Sequence, residues 1–112
     1  MRIYRIIKNN PPTESDMLSH WDLGKRPVPH TPRNEAAYKE ISTFDTPEAA
    51  AAKARARDLG EYIAELDVPD ETPYSYVAST GHAGLRGTTP GGLLACVQHV
   101  RRVDEILAPP VD

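Results

Sequence analysis

The chain has 112 residues, of which 13 are basic and 16 acidic, for a formal net charge of −3. That length suits one domain, because two separate cores would each be too small to be stable. The charge balance gives no basic footprint for nucleic acid, so we expect no nucleic-acid partner. The single cysteine, Cys96, excludes an internal disulfide framework.

Membrane and metal sites are not indicated. No segment approaches the ~20 apolar residues of a membrane span, and the apolar run at the N-terminus is too short for a signal peptide. We therefore expect a cytoplasmic protein that does not bind a membrane. The four histidines are scattered, and Cys96 and His99 lack a second pair of ligands. The sequence thus predicts no metal site and no bound cofactor.

The first third of the chain predicts one strand and one short helix. Isoleucines and a tyrosine favour a strand over Arg2–Lys8, which the following prolines end. Thr13 is a good N-cap, and apolar residues recur at helical spacing until Gly24. We expect a helix over residues 14–23.

Three prolines in residues 25–33 indicate an extended surface loop. We favour a plain connector, with a partner-binding arm as the alternative. Asn34 is expected to cap one or two helical turns over residues 35–38.

The clearest helix follows a short strand at Ile41–Phe44. Asp45 or Thr46 is its N-cap, Pro47 occupies its first turn and Gly60 closes it. Its cations are expected to complement the helix dipole rather than to touch phosphates. The inner face is predicted to consist of small residues that pack closely on a sheet: Ala49, Ala50, Ala52 and Ala56, with Leu59 at the end.

Residues Glu61–Val68 carry the best strand pattern, because polar and apolar residues alternate. One face is predicted to hold Tyr62, Ala64, Leu66 and Val68, and the other Glu61, Glu65 and Asp67. Ile63 interrupts the alternation, which indicates that the second face is partly covered. Tyr74–Val77 predicts a further strand.

The C-terminal third is ambiguous. Thr88 or Thr89 with Pro90 predicts a short helix to about Ala95, followed by a strand to about Val103. A single long helix is the alternative. Residues 108–112 are predicted to be a frayed tail.

Together these elements predict an α+β fold for a single domain over residues 1–107. We expect a small, mainly antiparallel sheet of four to five strands, with two to three short helices packed on it. The early alternation of strand and helix keeps a mixed sheet as the alternative.

The glycine-rich segment 79–90 is the stretch most typical of a binding site. Its glycines allow close backbone approach to a ligand, and its histidine and arginine supply a titratable group and a fixed cation. We interpret it first as a flexible surface loop, and second as a ligand or phosphate site. The candidate ligand-binding residues are Gly81, His82, Gly84, Arg86 and Gly87.

Three segments resemble the layout of compact ADP-ribosyltransferase-like domains. They are Tyr4-Arg5, then Ile41-Ser42-Thr43-Phe44 followed by Thr46-Pro47-Glu48-Ala49-Ala50, and then the strand beginning at Glu61. The resemblance implies an NAD-using enzyme with candidate catalytic residues Arg5, Ser42, Thr43, and Glu61 or Glu65. No Glu-x-Glu element accompanies them. The chain is also similar to small uncharacterised bacterial α+β proteins, which implies no function.

No motif reaches the specificity of a catalytic signature. We therefore predict a small non-catalytic binding or accessory domain, whose partner is an unknown protein or a small anionic ligand. The alternative is the small ADP-ribosyltransferase-like enzyme using NAD. A homodimer formed through an uncovered sheet edge or through Trp21 is a third possibility.

Overall fold

The computed structural model describes residues 1–109, which fold into one six-stranded sheet with helices on both faces. The strands are β1 (Arg2–Ile7), β2 (Ile41–Phe44), β3 (Tyr62–Asp67), β4 (Tyr74–Val77), β5 (His82–Leu85) and β6 (Val97–Arg102). The helices are a 3-10 helix (Glu14–Met17), α1 (Pro32–Lys39), α2 (Pro47–Arg57), α3 (Pro90–Ala95) and α4 (Val103–Leu107). The strand order is β4-β5-β2-β1-β3-β6, and every neighbouring pair is antiparallel. The predicted α+β class is confirmed, with one strand more than expected and no mixed pairing.

Helix α2 covers one face of the sheet through alanine side chains. Ala50, Ala51 and Ala54 are buried against Phe44 and Ile63, while Ala52 and Ala56 are exposed. The predicted packing on a sheet is confirmed, but the predicted face was wrong in part. Residues 50 and 54 lie one turn apart, whereas residue 52 falls on the opposite side of a helix with 3.6 residues per turn.

The opposite face of the sheet carries a second core. Its strands contribute Ile3, Ile7, Ile41, Ala64, Leu66 and Leu85, all under 5% exposed. Met17 of the 3-10 helix and Leu93 of α3 cover them. Strand β3 is therefore covered on both sides, and Ile63 interrupts the alternation because it faces α2.

The predicted helix over 14–23 is wrong beyond Met17. Thr13 is the N-cap, and the Asp16 carboxylate accepts the Thr13 N–H at 2.9 Å. However, the Asp16 and Leu18 carbonyls, which a continuing helix would use, accept from the Arg5 guanidinium at 2.7 and 2.9 Å. Leu18 is extended, and residues 19–24 form a separate turn.

Helix α1 is longer than the predicted turns over 35–38 and begins earlier. Its cap is Thr31, whose hydroxyl accepts the Asn34 N–H at 3.1 Å, and Pro32 follows at the first position. Asn34 lies inside the helix and donates its side-chain amide to the Pro29 carbonyl at 2.9 Å. Thr31 was missed because Pro32 was assigned to the extended loop, whereas a proline directly after an N-cap belongs to the first turn of the helix.

Segment 79–90 is not a flexible loop, because its middle is strand β5, paired with β2 and β4. Gly81 closes the β4–β5 turn with a φ of +73°, a conformation that favours glycine. Ala83 and Leu85 are buried in the sheet. The segment looked like a loop because it is rich in glycine, and Gly84 within the strand is explained by the close approach of the Glu40 carboxylate.

In the C-terminal third, helix α3 followed by strand β6 confirms the predicted order and excludes the single long helix. Thr89 caps α3 by accepting the Gly92 N–H at 3.1 Å. Helix α4 was not predicted, and its Val103 packs against α2. Of the predicted tail, residues 110–112 lie outside the described residues. None of the helices over residues 1–109 is long and apolar enough to cross a membrane.

Candidate functional site

A cleft lies between helix α2 and the segment 15–23, with strands β1, β2 and β5 beneath it. Its volume is about 640 Å³. Its lining combines cations, apolar side chains and a serine–histidine pair, and includes Lys8, Leu23, Ser42, Phe44, Lys53, Arg57, Leu59 and His82. Cavities of this size accommodate small organic ligands.

The serine–histidine pair is formed by Ser42 of β2 and His82 of β5. The Ser42 Oγ lies 2.8 Å from the His82 Nε2. The Phe44 ring packs against the imidazole with ring centroids 5.6 Å apart and planes at 86°. The histidine is half-buried, while Ser42 is exposed and lines the cleft.

Burial lowers the pKa of His82 below its ordinary value. The nearby Glu40 carboxylate opposes this shift, and the Lys53 ammonium adds to it. The imidazole is therefore neutral at neutral pH, and one of its ring nitrogens is free to accept a proton.

Strand register brings this pair together. Ser42 is paired with Gly84 and Phe44 with His82, so Ser42 and His82 are diagonal neighbours on one face of the β2–β5 ladder. The two residues are 40 positions apart in the chain. Each was a candidate from the sequence, but for different reasons and in different sites, and no local pattern links them.

Three lysine and arginine side chains of the cleft lining make neither an ion pair nor a hydrogen bond within residues 1–109: Lys8, Lys53 and Arg57. Lys53 and Arg57 are four residues apart on α2, so they project from the same face. Arg55 points elsewhere and binds Asp104 at 2.9 Å. All three cations were expected to complement the helix dipole, and the four-residue spacing of Lys53 and Arg57 is the signal that separates these two from Arg55.

Arg5, a candidate catalytic residue, is engaged in the fold. Its guanidinium donates to the carbonyls of Asp16, Leu18 and Ser42 at 2.7, 2.9 and 2.7 Å. Burial lowers the pKa of Arg5 to about 10, against the opposing effect of the Asp16 charge, so it remains a cation at neutral pH. Arg5 thus ties the segment 15–18 to strands β1 and β2, which are paired in register only at Tyr4 and Phe44.

Asp16 is the acid of the cleft, and its carboxylate is fully occupied. It accepts the backbone N–H groups of Lys8, Asn9 and Thr13 and the Asn9 side-chain amide. Burial by itself would raise the pKa of this carboxyl, but the donated hydrogen bonds hold it below its ordinary value. Asp16 therefore neutralises none of the three cleft cations by direct contact.

Of the other candidate catalytic residues, Ser42 lies beside Arg5 and the rest do not. Thr43 is fully buried and donates to the Ala83 carbonyl at 2.6 Å. Glu65 is half-buried, 3.5 Å from the Tyr4 hydroxyl, and Glu61 is exposed. Tyr4 is paired with Phe44, so Arg5 and Ser42 occupy positions on opposite faces of the sheet, yet both line the cleft and the Arg5 guanidinium reaches the Ser42 carbonyl. Thr43, Glu61 and Glu65 are not among the lining residues. The NAD-using enzyme stays a prediction.

The five candidate ligand-binding residues are also divided. His82 lines the main cleft, whereas Arg86 and Gly87 line a second cavity of about 400 Å³ beside Cys96. Gly81 packs under the Asp45 carboxylate. A Cβ on Gly84 would lie 3.0 Å from the Glu40 carboxylate, so this glycine is explained by close approach of that side chain.

Trp21 and the sheet edge bear on the predicted homodimer. The Trp21 ring is covered by the Arg26 guanidinium, 3.6 Å from its centroid, and by the Lys39 ammonium at 4.7 Å. The edge strand β4 exposes Tyr74, Tyr76 and Val77. The homodimer stays a prediction.

Residues 1–109 contain no group of three His, Cys, Asp or Glu side chains arranged to hold a metal ion. Comparisons with protein-family models, with curated proteins and with solved structures gave no significant match. The chemistry of the cleft therefore rests on its own geometry.

Proposed function

We propose that this chain is a binding domain whose cleft takes a small anion with an apolar part, such as an aryl phosphate or an aryl carboxylate. The observation that carries the proposal is the set of three unpaired cations, Lys8, Lys53 and Arg57, around one cavity of about 640 Å³. A concave surface lined by one sign of charge raises the local concentration of oppositely charged ligands.

Hydrogen-bonding groups for the anion stand beside the cations. The Ser42 hydroxyl is exposed to the cleft, and lysine and arginine donate charge-assisted hydrogen bonds to phosphate and carboxylate oxygens. Such bonds are roughly twice as strong as bonds between neutral groups. The cleft can therefore satisfy several oxygens of one anion.

The apolar part is favoured by the rim of the cleft. Leu23 and Leu59 are 56% and 41% exposed, and both line it together with Phe44. Covering these side chains with a ligand would remove apolar surface from water, at roughly 25 cal/mol per Å². An inorganic anion would leave this surface exposed.

The test compares thermal stabilisation by inorganic phosphate, phenyl phosphate and benzyl alcohol. Ligand at about 100 times its dissociation constant adds about 2.7 kcal/mol, which for this chain length raises Tm by roughly 11 °C. We expect phenyl phosphate to bind more tightly than phosphate, and benzyl alcohol to have little effect.

Two variants locate the binding. The double variant Lys53→Met, Arg57→Met should lose the phenyl phosphate shift, while Lys25→Met, which lies outside the cleft lining, should keep it. Equal shifts in both variants, or no shift with any anion, would refute the proposed site.

A further inference from the structure

The Ser42–His82 pair has the geometry of an activated nucleophile and its base. The distance between Oγ and Nε2 is 2.8 Å, within the range for proton transfer along a hydrogen bond. Ser42 is exposed and lines a cavity large enough for a substrate, and the His82 imidazole packs against the edge of the Phe44 ring. A serine hydroxyl becomes a useful nucleophile when an adjacent base removes its proton.

We infer that the chain has a second capability, covalent acyl transfer to Ser42 from an ester, with His82 as general base. In the first step the Ser42 Oγ bonds to the ester carbonyl carbon while its proton moves to the His82 Nε2. The carbonyl–oxygen bond of the leaving alcohol then breaks, and the leaving oxygen takes the proton back from Nε2. Water completes the cycle: His82 accepts its proton, its oxygen displaces Ser42, and Ser42 recovers the proton.

The surroundings of the pair favour both the proton transfer to His82 and the negative charge that develops on the carbonyl oxygen. The neutral state of His82 at neutral pH leaves Nε2 able to accept the proton when the other ring nitrogen carries the hydrogen. Lys53 lines the same cavity, where its positive charge favours the negative charge that develops on the carbonyl oxygen.

The substrate class rests on the proposed anion site. Because Lys53 and Arg57 line the same cavity as the pair, an ester whose acyl group bears a second, free carboxylate is favoured over a neutral ester. The acyl-transfer chemistry itself does not require that site, so the two proposals can fail separately.

The experiment uses the full chain with 4-nitrophenyl acetate as the neutral ester and the mono-4-nitrophenyl ester of succinic acid as the anionic one. Release of 4-nitrophenolate measures the rate, and peptide mass spectrometry locates the acyl group. We expect acylation on the peptide that contains Ser42, its loss in Ser42→Ala, and a rate about a hundredfold lower in His82→Gln.

Matched controls are Ser75→Ala, an exposed strand hydroxyl outside the cleft lining, and His99→Gln, an exposed strand histidine. Both should react as the unchanged chain does. Ester cleavage that survives in Ser42→Ala, or no acylation of Ser42 by either ester, overturns the inference whether or not phenyl phosphate stabilises the fold. Acylation of Ser42 that shows no preference for the anionic ester supports the Ser42–His82 chemistry and removes the anionic substrate class.

Discussion

Replacing Arg5 tests whether this residue holds the wall of the cleft or is free for another role. Arg5→Met removes three donated hydrogen bonds, of which those to Asp16 and Leu18 are partly buried and the one to Ser42 is exposed. Hydrogen bonds to a charged group contribute about 1.5 kcal/mol or more each, and water can replace the exposed one. Loss of the two partly buried bonds should therefore lower the free energy of unfolding by about 3 kcal/mol.

Thermal unfolding followed by circular dichroism measures this loss. With the average entropy of unfolding per residue, 1 kcal/mol corresponds to roughly 4 °C for a chain of this length, so Arg5→Met should lower Tm by roughly 12 °C. Arg5→Lys keeps the charge but not the planar fork of donors, and we expect it to recover only part of the loss.

Arg2→Met is the matched control on the same strand. Arg2 is 60% exposed and makes one long ion pair, 3.8 Å from Glu65, which should be worth less than about 0.5 kcal/mol. A Tm change for Arg5→Met as small as that of Arg2→Met would refute the structural role of Arg5 and restore it as a candidate for catalysis.

Three further changes test the turn, the helix face and the histidine. Gly81→Ala should lower the free energy of unfolding in urea more than Gly87→Ala does. Both glycines have a positive φ, but only at Gly81 would the new Cβ meet a carboxylate, and equal losses would contradict this. Ala51→Leu should lower the free energy of unfolding by about 1–3 kcal/mol, because the larger side chain overpacks the core. Ala52→Leu on the exposed side should leave it nearly unchanged. The lowered pKa of His82 means that the unfolded chain takes up this proton first, so Tm should fall as the pH drops from about 7.5 to about 5.5, and less steeply in His82→Gln. Parallel profiles for the two chains would show that His82 does not titrate in this way.

The elements with local signals could be predicted from the sequence. Thr46 with Pro47, and Thr89 with Pro90, mark the starts of helices α2 and α3, because each threonine hydroxyl accepts the N–H three residues later. Strand β3 was visible from its alternation. These features depend on neighbours within four residues, which a sequence shows directly.

The predictions were wrong where a side chain from another part of the chain makes a contact that changes the local structure. The helix beginning at Glu14 ends early because Arg5 binds its carbonyls. Strand β5 resembled a loop because Gly84 leaves room for the Glu40 carboxylate, 44 positions away. Neither contact has a local sequence pattern that reveals it.

The candidate site was predictable in its parts and not in its assembly. Ser42 and His82 were singled out separately, and only the pairing of β2 with β5 makes them neighbours. The cations were present in the sequence, but their lack of partners depends on where Asp16 and Asp104 direct their carboxylates.

Strand β2 connects the cleft to the buried core on the other face of the sheet. Ile41 and Thr43 flank Ser42 in the chain, so their side chains lie on the opposite face of the sheet. They are buried there, with exposures of 4% and 0%. If the proposed Ser42–His82 chemistry holds, we expect substitutions in this buried layer that shift strand β2 to change the distance between the Ser42 hydroxyl and His82. Such substitutions would alter the reaction rate while leaving every solvent-facing residue as it is.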